Sequence, residues 1–363
     1  MTQDVPSLLE HWLAHGLGHW LWLALLAANL GTLALIALVL SAAALLAYAA
    51  VRVGPRFVIA RLSGLVLVLL GISFVTFLLG VLTPGTPVLD ICGQHCTPDS
   101  IRTLEHFYHL DLPWYEQYGA YLNGLLHLDL GNSITHHGSS VWALIGSYVP
   151  VSAELGLLGL GLQLVIGVPW GVLAAVRAGS RFDSVSTAVA LTMAAVPPFV
   201  TIPFYWFSMV ALAQHGLPHL PIAGWGDPVD LIAPLVFFVP FSGYFMRLTR
   251  TTMLDVLDED YVRAARAKGL PERVVLLRHG LRSALGPLLT ATGLSVAYVV
   301  GGAVFIETFF NIPGIGWYAV QSIQNTDMPV VQGIILLVAA AITTMNTVID
   351  VLYGVVDPRV KVH

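Results

Sequence analysis

The chain has 363 residues, 56% hydrophobic and only 10% charged, with a mean hydropathy of +0.79. A soluble domain carries roughly 25% charged residues, so this balance excludes an ordinary soluble protein and predicts an all-α polytopic membrane protein. The net charge of −5 averages over two faces of a membrane and says little about partners.

A hydrocarbon core takes about 20 residues to cross. Runs of that kind occupy Leu17 to Val51, Val58 to Leu82, Val149 to Val176, Val185 to Ala213, Leu231 to Met246, Leu285 to Phe309 and Val330 to Tyr353, giving seven spans. The first contains Ala47-Tyr48-Ala49, which has the form of a signal-peptide cleavage site. The residues before it include Asp4 and Glu10 but no Lys or Arg, and the apolar run is too long for a leader, so a retained anchor is expected. The fourth contains Pro197, Pro198 and Pro203 and is expected to kink or break.

Threading the spans back and forth places fifteen of the sixteen Lys and Arg on one side, with Arg102 alone on the other. The positive-inside rule then puts the N-terminus outside and the C-terminus in the cytoplasm of a cell membrane. Residues 84–148 form an external loop and residues 247–283 a cytoplasmic one.

Both cysteines, Cys92 and Cys96, fall in the external loop, with His95, His106 and His109 nearby. Outside the cytoplasm a disulfide is favoured; free thiols and a metal site are the alternatives, although the spacing is not a recognised zinc pattern. Further on, Trp114, Tyr115, Tyr118 and Tyr121 follow Pro113 at helical spacing, predicting an amphipathic helix. It either lies at the headgroup level or helps receive an external partner. Gly167, Gly171, Gly301 and Gly302 supply small surfaces for helix packing.

Between the fifth and sixth spans comes Asp258 to Arg282, DEDYVRAARAKGLPERVVLLRHGLR. Asp258 suits a helix cap, Glu259 and Asp260 the positive first turn, and Arg266 and Lys268 the negative last turn. Gly269 suits the left-handed position past a helix end and Pro271 the first turn of a second short helix. Ala264, Ala265 and Ala267 leave the end of the first helix nearly bare, among Tyr261, Arg263, Arg266 and Lys268. Small side chains permit close approach and flanking charges fix orientation, so this is a candidate docking helix. A polybasic segment held to anionic lipid is the competing reading, but it does not account for the alanines or the Gly-Leu-Pro corner.

Ala264-Ala265 and then Gly269 resembles the cytoplasmic "EAA" loop of ABC importer membrane subunits, with Arg263 where that motif has glutamate. The longer string Asp260 to Leu270, followed by Arg278-His279, is similar to the variant in dipeptide and oligopeptide importers. The likeness runs from Phe57 to Val360 and includes Thr83-Pro84-Gly85-Thr86-Pro87, Asp129-Leu130-Gly131-Asn132-Ser133, Arg247-Leu248-Thr249-Arg250, Glu307 through Pro313-Gly314-Ile315-Gly316, and Asp357-Pro358-Arg359. The chain thus resembles the B-type permease subunit of those importers. It departs from the family in Thr86, where an acidic residue is usual, and in its first span, additional to the usual six.

The resemblance implies a type I ABC importer permease fold, with residues 1–56 as an N-terminal extension and residues 57–363 as the permease domain. It implies a second homologous permease, two ABC ATPase subunits, an external solute-binding protein and a peptide substrate, with no nucleic acid. The docking residues carried over are Asp260, Tyr261, Arg263, Ala264, Ala265, Arg266, Lys268 and Gly269. ATP and Mg would be bound by the partner ATPases. The residues themselves support that division: neither of the two lysines, Lys268 and Lys361, follows a glycine as a phosphate-loop lysine does. No enzyme motif is present either.

The alternative is a self-sufficient secondary transporter or channel, which would want carboxylates near midplane. Glu154, Glu307 and Asp350 lie in or near spans but close to their ends, where hydration or a helix-end contact would satisfy them.

Overall fold

In lipid each backbone polar group must be satisfied within its own segment, so the long apolar runs become helices. The computed structural model describes residues 55–82, 97, 99, 102–103, 106, 111–136, 138–300 and 303–356. Leu17 to Val51, Cys92, Cys96, residues 83–87, Gly301, Gly302 and residues 357–359 lie outside these.

The helices are α1 (Pro55–Leu82), α2 (Trp114–Leu126), α3 (Val141–Val176), α4 (Arg181–Ala195), α5 (Pro198–Gln214), α6 (Pro228–Val236), α7 (Ser242–Leu257), α8 (Asp260–Ala267), α9 (Arg282–Val300), α10 (Val304–Phe310), α11 (Ile315–Gln324) and α12 (Met328–Val356). The described residues contain no strand, only an isolated bridge between Asn132 and Ser140. By length and composition, Ile59–Leu82, Val141–Val176 and Met328–Ile349 can each cross a membrane alone.

Two bent pairs give two further spans if each crosses as one. α4 and α5 meet at 88°, at the expected proline break: Val196 and Pro197 are extended, and proline disfavours a helical residue before it. The pair formed by α6 and the segment Val239–Leu257 bends by 43° around a short 3₁₀ turn, Val239–Phe241, which contains Pro240. This second break was not expected from the sequence, because the apolar run continues through it. The expected span Leu285 to Phe309 is likewise divided, between α9 and α10, with non-helical Ala303 between them at φ −87 and ψ 70.

α3 is the axis of the bundle. A Cβ at Gly167 would lie 2.6 Å from the Ser242 carbonyl, and one at Gly171 2.5 Å from the Met246 carbonyl, so α3 and α7 touch backbone to backbone at these two positions. Leu160, Phe245, Leu288 and Ala291 join α3, α7 and α9, and Ala175, Met253 and Ala284 continue that contact.

α2 packs against α1. The Tyr118 hydroxyl is 3.0 Å from Ser73 Oγ, and its ring meets Phe74 edge-on at 5.3 Å. This is the amphipathic helix that the aromatic spacing predicts, with Trp114 and Tyr115 exposed.

Candidate functional site

α7 ends at Asp258, and the chain turns through extended Glu259 into α8. Asp258 therefore closes α7 rather than capping α8, and no side chain caps α8 at Glu259. The start of α8 is held differently, by Arg263 Nη2 donating to the Asp258 carbonyl at 2.7 Å. Asp260 in the first turn and Arg266 in the last complement the helix dipole.

Past Lys268, Gly269 takes φ +76, its N–H donates to the Arg266 carbonyl at 2.9 Å, and the Leu270 N–H reaches the Ala265 carbonyl at 3.5 Å. That pair of bonds is the Schellman ending that the glycine predicts. Pro271 precedes one turn, Glu272–Val274, which runs into a π-helical stretch, Val275–Leu281, and then directly into α9. The expected second short helix is thus the leading end of a longer one, with no break before the membrane.

The two faces of α8 differ. Val262 and Ala265 are buried against Val275, with Val256 and Leu257 packed around them. Ala265 is therefore an anchor to this chain, and the bare outward positions are Ala264 and Ala267. Asp260, Tyr261, Arg263, Arg266, Lys268 and Gly269 are exposed with them. Arg266 Nη2 pairs with Glu272 Oε1 at 2.9 Å across the corner, and Glu272 raises the already high pKa of that guanidinium further. Arg263 lies 3.5 Å from Asp260. Such exposed pairs contribute at most about 1 kcal/mol each, so they orient the corner more than they stabilise it.

Arg250, on α7 above the corner, grips Asp183 at the start of α4. Its Nη2 donates to Oδ2 at 2.7 Å and its Nε to Oδ1, while the Gly179 N–H donates to Oδ2 at 3.0 Å. The Asp183 side chain is 5% exposed, so the pair is sheltered. Asp183 was missed in the sequence. The local signal was Ser180 three residues before it, which caps α4 by accepting the Asp183 N–H at 3.3 Å.

Glu307 is completely buried and satisfied by its own chain through a helix-end contact. It accepts from Ser152 Oγ at 2.8 Å, Gly316 N–H at 2.7 Å, and the Ala303 and Trp317 N–H groups at 3.1 Å. Gly316 and Trp317 open α11, whose positive end faces the carboxylate. The Pro313-Gly314-Ile315-Gly316 string thus delivers a helix start to Glu307. Glu154 is half-buried in α3, and Asp350 falls in α12 with its side chain outside the described residues.

A second satisfied carboxylate, Asp327, was not foreseen. It accepts from Ser133 Oγ at 2.5 Å, from the Ile134 and Thr135 N–H groups at 3.1 and 3.3 Å, and from Thr135 Oγ1. The Asp129-to-Ser133 string makes the turn that brings Ser133 there, with the Gly131 N–H donating to Asp129 Oδ1 at 2.9 Å. Among the described residues no group of three or more His, Cys, Asp or Glu side chains could hold a metal ion.

Residues 167–362 match a family described as "Binding-protein-dependent transport system inner membrane component". Residues 55–153 match its N-terminal counterpart, described as "Binding-prot-dependent transport system membrane comp, N-term". The chain is 34% identical over 336 residues to the dipeptide transport system permease protein DppB of Escherichia coli, covering 84% of this chain and 98% of that one. It is also 34% identical over 310 residues to the protein of the same name from Bacillus subtilis, covering 85% and 98%.

Proposed function

Because the chain belongs to the family of binding-protein-dependent transport system inner membrane components, we propose that it is a permease subunit of an ATP-driven peptide importer. Its relatives named as dipeptide permeases carry the substrate part of that reading. The chain forms half of a translocation pathway, with a second homologous permease supplying the other half. An external binding protein delivers the peptide, and two partner ATPases bind ATP and Mg and hydrolyse the nucleotide. The chain itself performs no chemistry. Residues 57–363 are the permease domain and residues 1–56 an added N-terminal segment, with the N-terminus outside and α8 in the cytoplasm.

The observation that carries the coupling role is the two-faced packing of α8. Val262 and Ala265 fix it to α9's leading end, while Tyr261, Ala264, Ala267 and Lys268 are exposed beside Arg263. A rigid helix braced in this way transmits a partner's movement instead of absorbing it. Force on α8 passes to α7 and α9 together. From α7 it passes to α3 through the Gly167 and Gly171 contacts and to α4 through Arg250 and Asp183. ATPase closure then tilts four helices as a unit, opening and closing the path between the two permeases.

Reconstitution tests this reading. Proteoliposomes holding the chain, its permease partner and the ATPases should take up peptide only with ATP and binding protein. Uptake by this chain alone on an ion gradient would replace the reading with the secondary-transporter alternative.

A further inference from the structure

Three helix interruptions converge on one cavity. Pro198 at the bend between α4 and α5, Phe238 and Phe241 at the bend between α6 and α7, and Ala303 between α9 and α10 all line a space of 530 Å³. Irregular backbone at membrane depth is tolerated where it is buried in protein or lines a cavity, and discontinuous helices build solute sites in transporters. The volume falls within the roughly 300–1,000 Å³ of small-molecule sites.

The lining has a definite chemistry. No acidic, basic or histidine side chain contributes to it. Its polar side chains are Gln163, Tyr244 and Ser295, and the Ser295 hydroxyl is committed to the Ala291 carbonyl at 2.9 Å. The Gln163 amide and the Tyr244 hydroxyl make no hydrogen bond to any described residue. Gln163 lies halfway along the expected span Val149 to Val176, on the α3 face that also carries Gly156 and Leu160 into the cavity. Gln163 is half-buried, so its amide faces the cavity with its donor and acceptor uncommitted to the protein.

One ligand chemistry fits both halves of that lining. The side-chain amide offers a carbonyl and an NH₂, the complement of the N–H and C=O of a peptide unit. The ring of Phe305 and those of Phe238 and Phe241 offer an apolar wall. A free ammonium or carboxylate would find no opposite charge. We propose that this cavity is a transit subsite that holds a peptide by one backbone amide, paired to Gln163, with an uncharged apolar side chain against the phenylalanines.

The proposal rests on the peptide-importer reading above, and the test separates the two. The full complex with binding protein is reconstituted in proteoliposomes, and ATP-driven uptake of radiolabelled Ala-Ala-Phe-Ala-Ala, whose central amides lie away from both charged termini, is measured beside binding-protein-stimulated ATP hydrolysis. Gln163→Leu keeps the side chain's bulk and removes the amide; Gln163→Asn keeps an amide. Uptake should fall roughly tenfold in Gln163→Leu, the scale of one lost hydrogen bond in a transition state, and recover in part in Gln163→Asn, while stimulated hydrolysis stays near the unaltered rate in both. Unchanged uptake in Gln163→Leu would overturn the subsite and leave the importer reading standing, as would loss of uptake and hydrolysis together in both variants, which would make Gln163 a structural element of α3. Failure of the unaltered complex to take up either this pentapeptide or Ala-Phe would overturn the peptide reading, and the subsite with it.

Discussion

Glu307 and Lys268 are both charged residues in a chain with few, yet their surroundings are opposite. Glu307 is wholly buried and meets one hydroxyl and three backbone N–H groups, all from its own chain. Lys268 stands at the exposed end of α8 beside Ala264 and Ala267, with Val262 and Ala265 turned inward. A buried carboxylate with this many donors is already committed, and its role is to hold α10, α11 and α3 together. An exposed charge on a helix whose inner face is fixed has its bonding capacity left for another molecule. The charge near the membrane is therefore the structural one, and the exposed charge on α8 is the one left free for a partner, as the proposed docking requires.

That contrast can be broken by mutation, and the largest effect should come from Glu307→Ala. It leaves buried donors unpaired, at about 1–3 kcal/mol for each group that finds no water. The expected result is a marked fall in melting temperature of the purified chain and little folded protein in the membrane. A variant that melts normally but loses ATPase would reverse the roles assigned to the two regions.

Gly269→Val should act the other way. Its φ of +76 is costly for a side chain, by roughly 1–2 kcal/mol and more when β-branched, although a Cβ there would meet no neighbouring atom. Membrane insertion and melting of the bundle should persist while co-purifying ATPase falls by about tenfold. Smaller still is Lys268→Glu, which leaves folding unchanged and weakens ATPase association several-fold at low salt, the loss shrinking as salt screens the contact. The smallest effect is expected from Arg266→Ala, which removes an exposed pair with Glu272 worth under about 1 kcal/mol; thermal melting should barely move.

Much of this organisation was legible in the sequence because it rests on local rules. Apolar run length marked α1, α3 and α12, Pro197 and Pro198 marked the break after α4, and Gly269 marked the end of α8. The aromatic spacing after Pro113 found α2. What the sequence hid depends on contacts between distant segments. Asp183 is 67 residues from Arg250 and Asp327 is 194 from Ser133, so no spacing rule joins them. The bend at Phe238 had a local signal in Pro240, and the interruption at Ala303 follows Gly301-Gly302, but apolar composition runs straight through both. Which alanine of α8 faces inward was also undecided: Ala264 and Ala265 are neighbours of equal size, and only the packing of Val275 distinguishes them.

The measurement that bears most directly on the coupling role is cross-linking from α8 in the assembled complex. In a background of Cys92→Ser and Cys96→Ser, single cysteines would replace Ala264 on the exposed face and Phe207 on the exposed apolar face of α5. Treatment with a short bifunctional thiol reagent should join Ala264→Cys to the ATPase subunit, with a yield that changes when ATP is added, and leave Phe207→Cys unlinked. No ATPase adduct from Ala264→Cys, in a complex that retains its ATPase and its uptake, would contradict docking at α8.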